Sequence, residues 1–253
     1  KVLKDLATSF MLGLTKMRTM VLRLDNGKDL GAAYTLLLRP IDLAQSAHDK
    51  RLMSTAAEVK ALLAETFDTG TLGFGARMSK TVIVPSIQDT PLTIETILSM
   101  ALNMGNSHNR EALQNGWQTP LTDAQLQDAF VHLRKEEIQF LQKTWDYVNT
   151  FWPEIAALEL ERTGVSPQKV EAQPVTFTHG DGTTTTLAGG YYPIKFDSKR
   201  NVSGTSLEQE VTSNGAQYAS AQTARGFVIA RKHSGGKELN LSLGVLTSHV
   251  AGV

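Results

Sequence analysis

Apolar side chains along residues 1–24 recur every three or four positions, at Leu3, Leu6, Phe10, Leu14, Met17, Val21 and Leu24, with Lys4, Lys16, Arg18 and Arg23 between them. This spacing puts the apolar groups on one side and predicts an amphipathic helix. Asp25-Asn26-Gly27 carries turn chemistry and predicts its end. Helical periodicity returns from about Leu30 to Leu38 and then meets Pro40. Proline lacks an N–H and clashes with the preceding turn, so a break or restart is expected there. Residues 41–67 read as helix again, through Leu43, Ala47, Leu52, Ala56, Val59, Leu62, Leu63 and Phe67.

Residues 68–92 are rich in Gly, Thr, Ser and Pro and read as a loop linker, with one β-type run, Thr81–Val84, ahead of Pro85. Thr93 stands where an N-cap belongs, Ile94, Ile97, Leu98, Ala101 and Leu102 form a stripe to be buried, and Gly105 follows its end. A polar turn at residues 106–110 leads through a short segment to Asn115-Gly116. Thr122 with Gln125 is a capping box, and Leu121 with Leu126 occupies the staple positions. From about 122 to 163 the pattern predicts a long bent helix or helical hairpin, through Phe130, Leu133, Ile138, Leu141, Trp145, Val148 and Phe151. Pro153 must kink or restart it, and Gly164 ends it.

Beyond Pro167 the texture turns to β. Val175–Thr178, the turn His179-Gly180-Asp181-Gly182 and Thr183–Leu187 predict a hairpin, and Gly189-Gly190-Tyr191-Tyr192-Pro193-Ile194 leads into another extended piece, so the insertion covers about 174–196. Residues 197–224 are dominated by small polar side chains, so 201–238 read as a polar loop, while 239–253 start a further helix. The expected fold is mainly α: N-terminal amphipathic helices over 1–67, a helical core over 93–164 and a small β-hairpin insertion.

Composition narrows the chemistry. The 253 residues contain no Cys, which excludes disulfides, thiolate metal sites and cysteine nucleophiles. Lys+Arg and Asp+Glu both number 25, so global charge draws the chain to no polyanion. The charge is unevenly spread, with 10 basic against 6 acidic side chains in residues 1–60 and 9 acidic against 5 basic in 118–175. No apolar run reaches the roughly 18 residues that a membrane-spanning helix needs. The chain opens at Lys1 without Met and stops within the apolar stretch Leu239–Val253, which is expected of a piece of a longer polypeptide.

Motifs with catalytic spacing are weak. Gly73-Phe74-Gly75-Ala76-Arg77-Met78-Ser79-Lys80-Thr81 carries Lys-Thr, but Ser79 stands where a phosphate loop needs its last glycine. His48, His108, His132, His179, His233 and His249 lack zinc-site spacing. Glu136 and Glu137, adjacent on a helix, diverge by about 100° and cannot act as paired carboxylates across a cleft. His179 with Asp181, and His108 with Arg110, are the best candidates for an enzymatic site. Lys195, Lys199 and Arg200 beside Tyr191 and Tyr192 are candidates for non-specific DNA contact, although adjacent Tyr in extended chain point to opposite sides.

One constellation resembles a known group of proteins. It runs from Ala101-Leu102-Asn103-Met104-Gly105-Asn106 with Asn109-Arg110, through Trp145-Asp146 and Phe151-Trp152-Pro153-Glu154-Ile155, to Thr163-Gly164-Val165 and Val170-Glu171. It ends with Gly189, Gly190, Tyr191, Tyr192, Pro193 and Ile194, then Asp197 and the Leu241–His249 stretch. Over about residues 94–253 this order resembles a region of the large polyvalent, internal virion or ejection proteins of tailed bacteriophages, with Gly189–Asp197 as its sharpest part. The resemblance carries no catalytic residues. It implies a non-enzymatic assembly module, without cofactor, inside the virion and delivered to the host with the genome. Its implied partners are further copies or other virion proteins of the portal or internal core. The alternative is part of a hydrolytic or nucleic-acid-processing enzyme completed by flanking segments.

Overall fold

A computed structural model describes residues 16–28, 30–67, 73–117, 119–197 and 237–250. They are mainly helical, with two small antiparallel hairpins. The chain divides into two compact units, Lys1–Ala57 and Glu58–Val253.

In the first unit, residues 16–24 are helical and turn at Asn26 (φ 54°) and Gly27 (φ 74°), as the Asp25-Asn26-Gly27 sequence predicts. Asp25 then caps the next helix, its carboxylate accepting from the N–H groups of Ala33 at 2.8 Å and Tyr34 at 2.9 Å. Pro40 does not break the chain. A π-helical turn over Tyr34–Leu38 precedes helix α1, Arg39–Ala64, and the Arg39 N–H reaches back to the Tyr34 carbonyl. The widened turn accommodates the proline ring and its missing donor within a continuous helix. Asp42 ties the two helical pieces together, receiving Arg18 at 2.6 Å and the Tyr34 hydroxyl at 3.0 Å.

In the second unit, residues 73–92 are more structured than a linker. They form a short helix α2, Gly73–Met78, and a hairpin of β1, Thr81–Val84, with β2, Gln88–Thr93. Sequence periodicity found β1 and missed its partner, because β2 runs through polar residues and Pro91 and buries only Leu92 fully. Thr93 then caps helix α3, Ile94–Leu102, accepting from the Thr96 N–H at 3.1 Å. Ile94, Ile97, Leu98, Met100, Ala101 and Leu102 are fully buried, so α3 is the core helix around which the others pack.

Helix α4, Ser107–Asn115, occupies what reads in sequence as a polar turn and a short segment. Few of its residues are apolar; the Asn106 side chain starts it by accepting from the Asn109 N–H at 2.9 Å. The stretch 122–163 is three joined helices: α5, Asp123–Phe130, α6, Lys135–Asn149, and α7, Trp152–Thr163. The Thr122–Gln125 capping box is formed, Pro153 lies in the first turn of α7, and Gly164 ends it in the left-handed conformation. Strands β3, Val175–Thr178, and β4, Thr184–Leu187, form the second hairpin, with Val175 opposite Leu187. Phe177 lies 5.3 Å from Phe130, which anchors that hairpin to α5. Helix α8, Gly244–Val250, buries Val245, Leu246 and Val250, and residues 198–236, most of the expected polar loop, lie outside the described residues.

One ion pair spans the core. Arg77 on α2 forks onto the Glu137 carboxylate on α6, with both contacts at 2.6 Å and the two side chains only 12% and 2% exposed. Glu137 also accepts from the Arg134 N–H at 2.8 Å, closing the start of α6. Removing Arg77 leaves a buried carboxylate unpaired. Arg77→Ala is expected to destabilise the protein by about 3 kcal/mol, measured by urea unfolding; an unchanged midpoint contradicts this assignment.

Candidate functional site

Residues far apart in sequence converge around the turn between α3 and α4. The carbonyl oxygen of Gly105 accepts two backbone N–H groups, from Gly190 at 2.8 Å and Gln173 at 2.9 Å. Asn106 donates through Nδ2 to the Gly190 carbonyl at 3.1 Å while its Oδ1 caps α4. Asn109 donates through Nδ2 to the Tyr192 carbonyl at 2.7 Å and to Asn103 Oδ1 at 3.2 Å. Asn103 in turn donates to the Ser99 carbonyl at 2.8 Å, so three buried asparagines satisfy one another and the backbone.

Trp145 of α6 closes the knot. Its indole Nε1 donates to the Leu102 carbonyl at 2.9 Å, and the ring fills the space beside two glycines. A Cβ on Gly105 would lie 2.6 Å from Trp145 Cε2, and one on Gly190 would lie 2.4 Å from Trp145 Cβ. Gly189 has φ +83°, and a Cβ there would stand 2.0 Å from the Gln173 carbonyl oxygen. Gln142, one turn before Trp145, accepts from the Ala188 N–H at 2.9 Å and donates to the Gly189 carbonyl at 3.3 Å. The Gly-Gly element is thus clamped from both sides.

The adjacent tyrosines diverge as extended chain requires. Tyr192 is buried, and desolvation followed by the Glu95 carboxylate pushes its phenol above the ordinary range, keeping it neutral. Tyr191 meets the His249 ring edge-on, with centroids 6.2 Å apart. Asp197 donates its backbone N–H to the Glu238 carbonyl at 3.0 Å, and Phe196 bridges to Leu239. The carboxylate of Glu95 accepts from Ser242 Oγ at 2.9 Å and from the Leu243 N–H at 3.0 Å, which fixes the start of α8.

A cleft of about 480 Å³ opens beside this knot, lined in part by Gln142, Asp146, Asn149, Lys169, Glu171 and Tyr191. Asp146 accepts from Gln142 at 2.9 Å, and the Lys169 ammonium donates to Asn149 and sits 5.9 Å from the Trp152 ring centre. Gln142 with Asp146 and Lys169 with Asn149 are thus paired with each other. Among the described residues, no three His, Asp or Glu side chains are grouped to hold a metal ion. Compared with family models, with curated proteins and with solved structures, the chain matches none.

The enzymatic candidates do not assemble. His179 is buried, with Nε2 2.7 Å from Thr185 Oγ1 across the hairpin. Asp181, two residues on, instead accepts from the Thr183 N–H at 2.9 Å and pairs with Lys135 at 2.8 Å. The hydrogen bonds of Lys135 and Thr183 hold its carboxyl well below the usual carboxylate range. Arg110 faces Asp123 at 3.5 Å, and His108 lies half-buried on α4. The glycines of the suspected phosphate loop lie in helix α2, with Lys80 and Thr81 leading into β1, so they form no anion cradle. Of the DNA-contact candidates, Lys195 donates to Ser248 of α8, while Lys199 and Arg200 lie outside the described residues. Sequence reading missed Gln142 and Glu95 and named Asn103 without its role; these polar roles appear only when other backbone segments are brought to them.

Two tests follow from this geometry. Gly190→Ala forces a methyl group into Trp145 and is expected to cost ~3 kcal/mol. Gly75→Ala, with nothing within 4 Å of the new atom, is expected to be neutral or to stabilise α2 by up to ~1 kcal/mol. Equal thermal shifts for the two variants would refute the clamp. His249 supplies a pH test: burial, then the nearby Lys195 charge, lowers its pKa from 6.5 to about 4. Because the unfolded chain binds that proton more readily, its stabilising effect is full above pH 6.5. It is lost as pH falls toward 4. Unfolding midpoints from pH 7 to 4 should therefore fall less in His249→Gln than in the parent chain.

Proposed function

We propose that this chain is a non-enzymatic structural module of a large internal virion protein of a tailed bacteriophage, acting in genome ejection or virion packaging of its parent chain. One observation supports this reading. The residues that carry the resemblance, Gly105, Asn106, Asn109, Trp145, Gly189, Gly190 and Tyr192, are engaged with one another in packing and backbone hydrogen bonds. A motif of this kind specifies how a domain is built. Its sharpest element joins the hairpin segment to α6 and the α3–α4 turn. In this role the chain resides in the virion interior, contacts further copies or portal and core proteins, and enters the host with the genome. None of the described helices is long and apolar enough to cross a membrane.

Quantitative mass spectrometry of purified particles tests the proposal. Peptides from the chain are expected at a fixed copy number and protected from added protease until the capsid is opened. Absence from particles, or digestion of the chain on intact ones, overturns it. The enzymatic alternative has a separate readout. His108→Ala with Asp181→Ala should leave particle yield and infectivity unchanged, whereas a large loss in infectivity with a normal circular dichroism spectrum favours the enzyme.

A further inference from the structure

Strand β1 is Thr81-Val82-Ile83-Val84, four β-branched residues in a row, a composition that favours pleated backbone. Val82 lies opposite Leu92 and Val84 opposite Gln88 in the ladder to β2, and the Lys80 carbonyl accepts from the Ile94 N–H at 2.9 Å. Backbone groups alternate sides along a strand, so the N–H and C=O groups of Thr81 and Ile83 point away from β2. Thr81 opposes Thr93 at an intervening position, where a pair exchanges no backbone bonds. Among the described residues, none of these outward groups has a hydrogen-bond partner. The side chains of the same two residues share the outer face, where Thr81 is exposed and Ile83 is 56% exposed, while Val84 on the opposite face is buried.

The second hairpin shows how such an edge is closed from within. There the Gln127 side chain of α5 donates to the Thr176 carbonyl at 2.7 Å and accepts from the Thr178 N–H at 3.2 Å, taking the place of a neighbouring strand along β3. Among the described residues no side chain does this for β1. The bare stretch is also sharply bounded. Pro85, the next outward position, has no N–H to offer, and Ser79, the preceding one, gives its N–H to the Gly75 carbonyl at 3.0 Å. An exposed, apolar edge with unpaired donors and acceptors is a template for another extended chain.

We propose that β1 pairs with β1 of a second copy of this chain, antiparallel and about a two-fold axis through Val82. In that register Thr81 stands opposite Ile83 of the second copy, and Ile83 opposite Thr81. Both pairs are of the hydrogen-bonded kind, so every outward N–H and C=O on the two edges is satisfied. Each exposed Ile83 gains a β-branched neighbour across the seam, which stabilises a sheet face. Three features favour the chain's own edge over an unrelated peptide. The bare stretch of one copy matches that of the other in length, and a longer strand finds no donor at Pro85 or Ser79. No ionisable side chain lies within β1. The two Lys80 ammonium groups fall at opposite ends of the seam, about 14 Å apart along it at roughly 3.4 Å per residue, beyond the screening length of about 10 Å. Because the two surfaces are identical, the pair closes on itself and joins both hairpins into one sheet. So short a seam gives a weak, concentration-dependent dimer with little response to salt. The inference supplies a contact surface for the assembly reading above and rests on that reading for its setting alone. A chain packaged in particles yet monomeric sinks the pairing and leaves that reading standing; a dimer absent from particles does the reverse.

Sedimentation equilibrium on the full chain, from low to high micromolar concentration, tests the pairing. The mass is expected to rise from monomer to dimer and to stop there, alike at low and high salt. Ile83→Pro removes an outward N–H and leaves the bonds to β2 in place, while Ile83→Lys sets a charge on the seam. Each should weaken association at least tenfold. The lysine variant keeps the test decisive should proline disturb folding, as read by circular dichroism. Register has its own readout. The chain has no Cys, so Thr81→Cys and Ile83→Cys each carry a single thiol. Mixed together, they should cross-link to one another at least tenfold faster than either does to itself, because positions 81 and 83 face each other across the seam. A chain that stays monomeric throughout overturns the proposal, and if that monomer binds a blocked Thr-Val-Ile-Val peptide, the edge belongs to a foreign strand. Mass growing past the dimer, Ile83 variants that associate normally, or cross-linking without preference for the mixed pair overturns it equally.

Discussion

The Gly105 carbonyl, shared between two incoming N–H groups, sets the terms for the second unit. It brings the strand-entry segment at Gln173 and the hairpin exit at Gly190 onto the turn between α3 and α4. That approach is open only to chain without side chains, because Trp145 occupies the remaining space and must itself reach the Leu102 carbonyl. The indole therefore does two things at once. It buries a large apolar surface and satisfies a helix-end carbonyl that would otherwise be orphaned. The asparagines at 103, 106 and 109 follow from the same constraint. Tightly apposed backbone at a buried turn presents donors and acceptors that water cannot reach, and short amide side chains can meet both kinds.

Charge in this molecule is divided between interior ties and ion pairs at the surface. Arg77–Glu137 holds α2 to α6 with both carboxylate oxygens engaged, and one oxygen of Glu95 holds α8 to α3. Asp181 and Arg110, which read in sequence as candidate catalytic groups, have surface partners in Lys135 and Asp123.

Much of the helical layout was legible because its signals are local. The Thr122–Gln125 box, Thr93 as a cap, Pro153 in a first turn and Gly164 as a left-handed end all act within one turn of their own helix. The His179–Gly182 turn and its flanking strands were legible for the same reason. Where the layout differed, non-local or weakly apolar elements were responsible. Strand β2 exists because β1 offers it a ladder, and α4 because a buried asparagine caps it; neither carries enough periodic hydrophobicity to announce itself. Pro40 was expected to interrupt a helix and instead lies just past a π turn, since one extra residue in the winding makes room for its ring.

By itself, then, the sequence determined the caps, turns and apolar stripes, and it excluded thiol chemistry outright. It also marked Gly189-Gly190-Tyr191-Tyr192 as special without revealing the reason. Tertiary structure alone decided that reason, because a glycine's value there depends on what stands opposite: Trp145 from α6, Gln173 from an extended segment, Gly105 from a turn 85 positions away in the chain. It also decided which ionisable side chains are bound to one another and which present their charge outward. Those outcomes rest on distances between segments, and hydrophobic periodicity carries no information about distance beyond the element in which it is read.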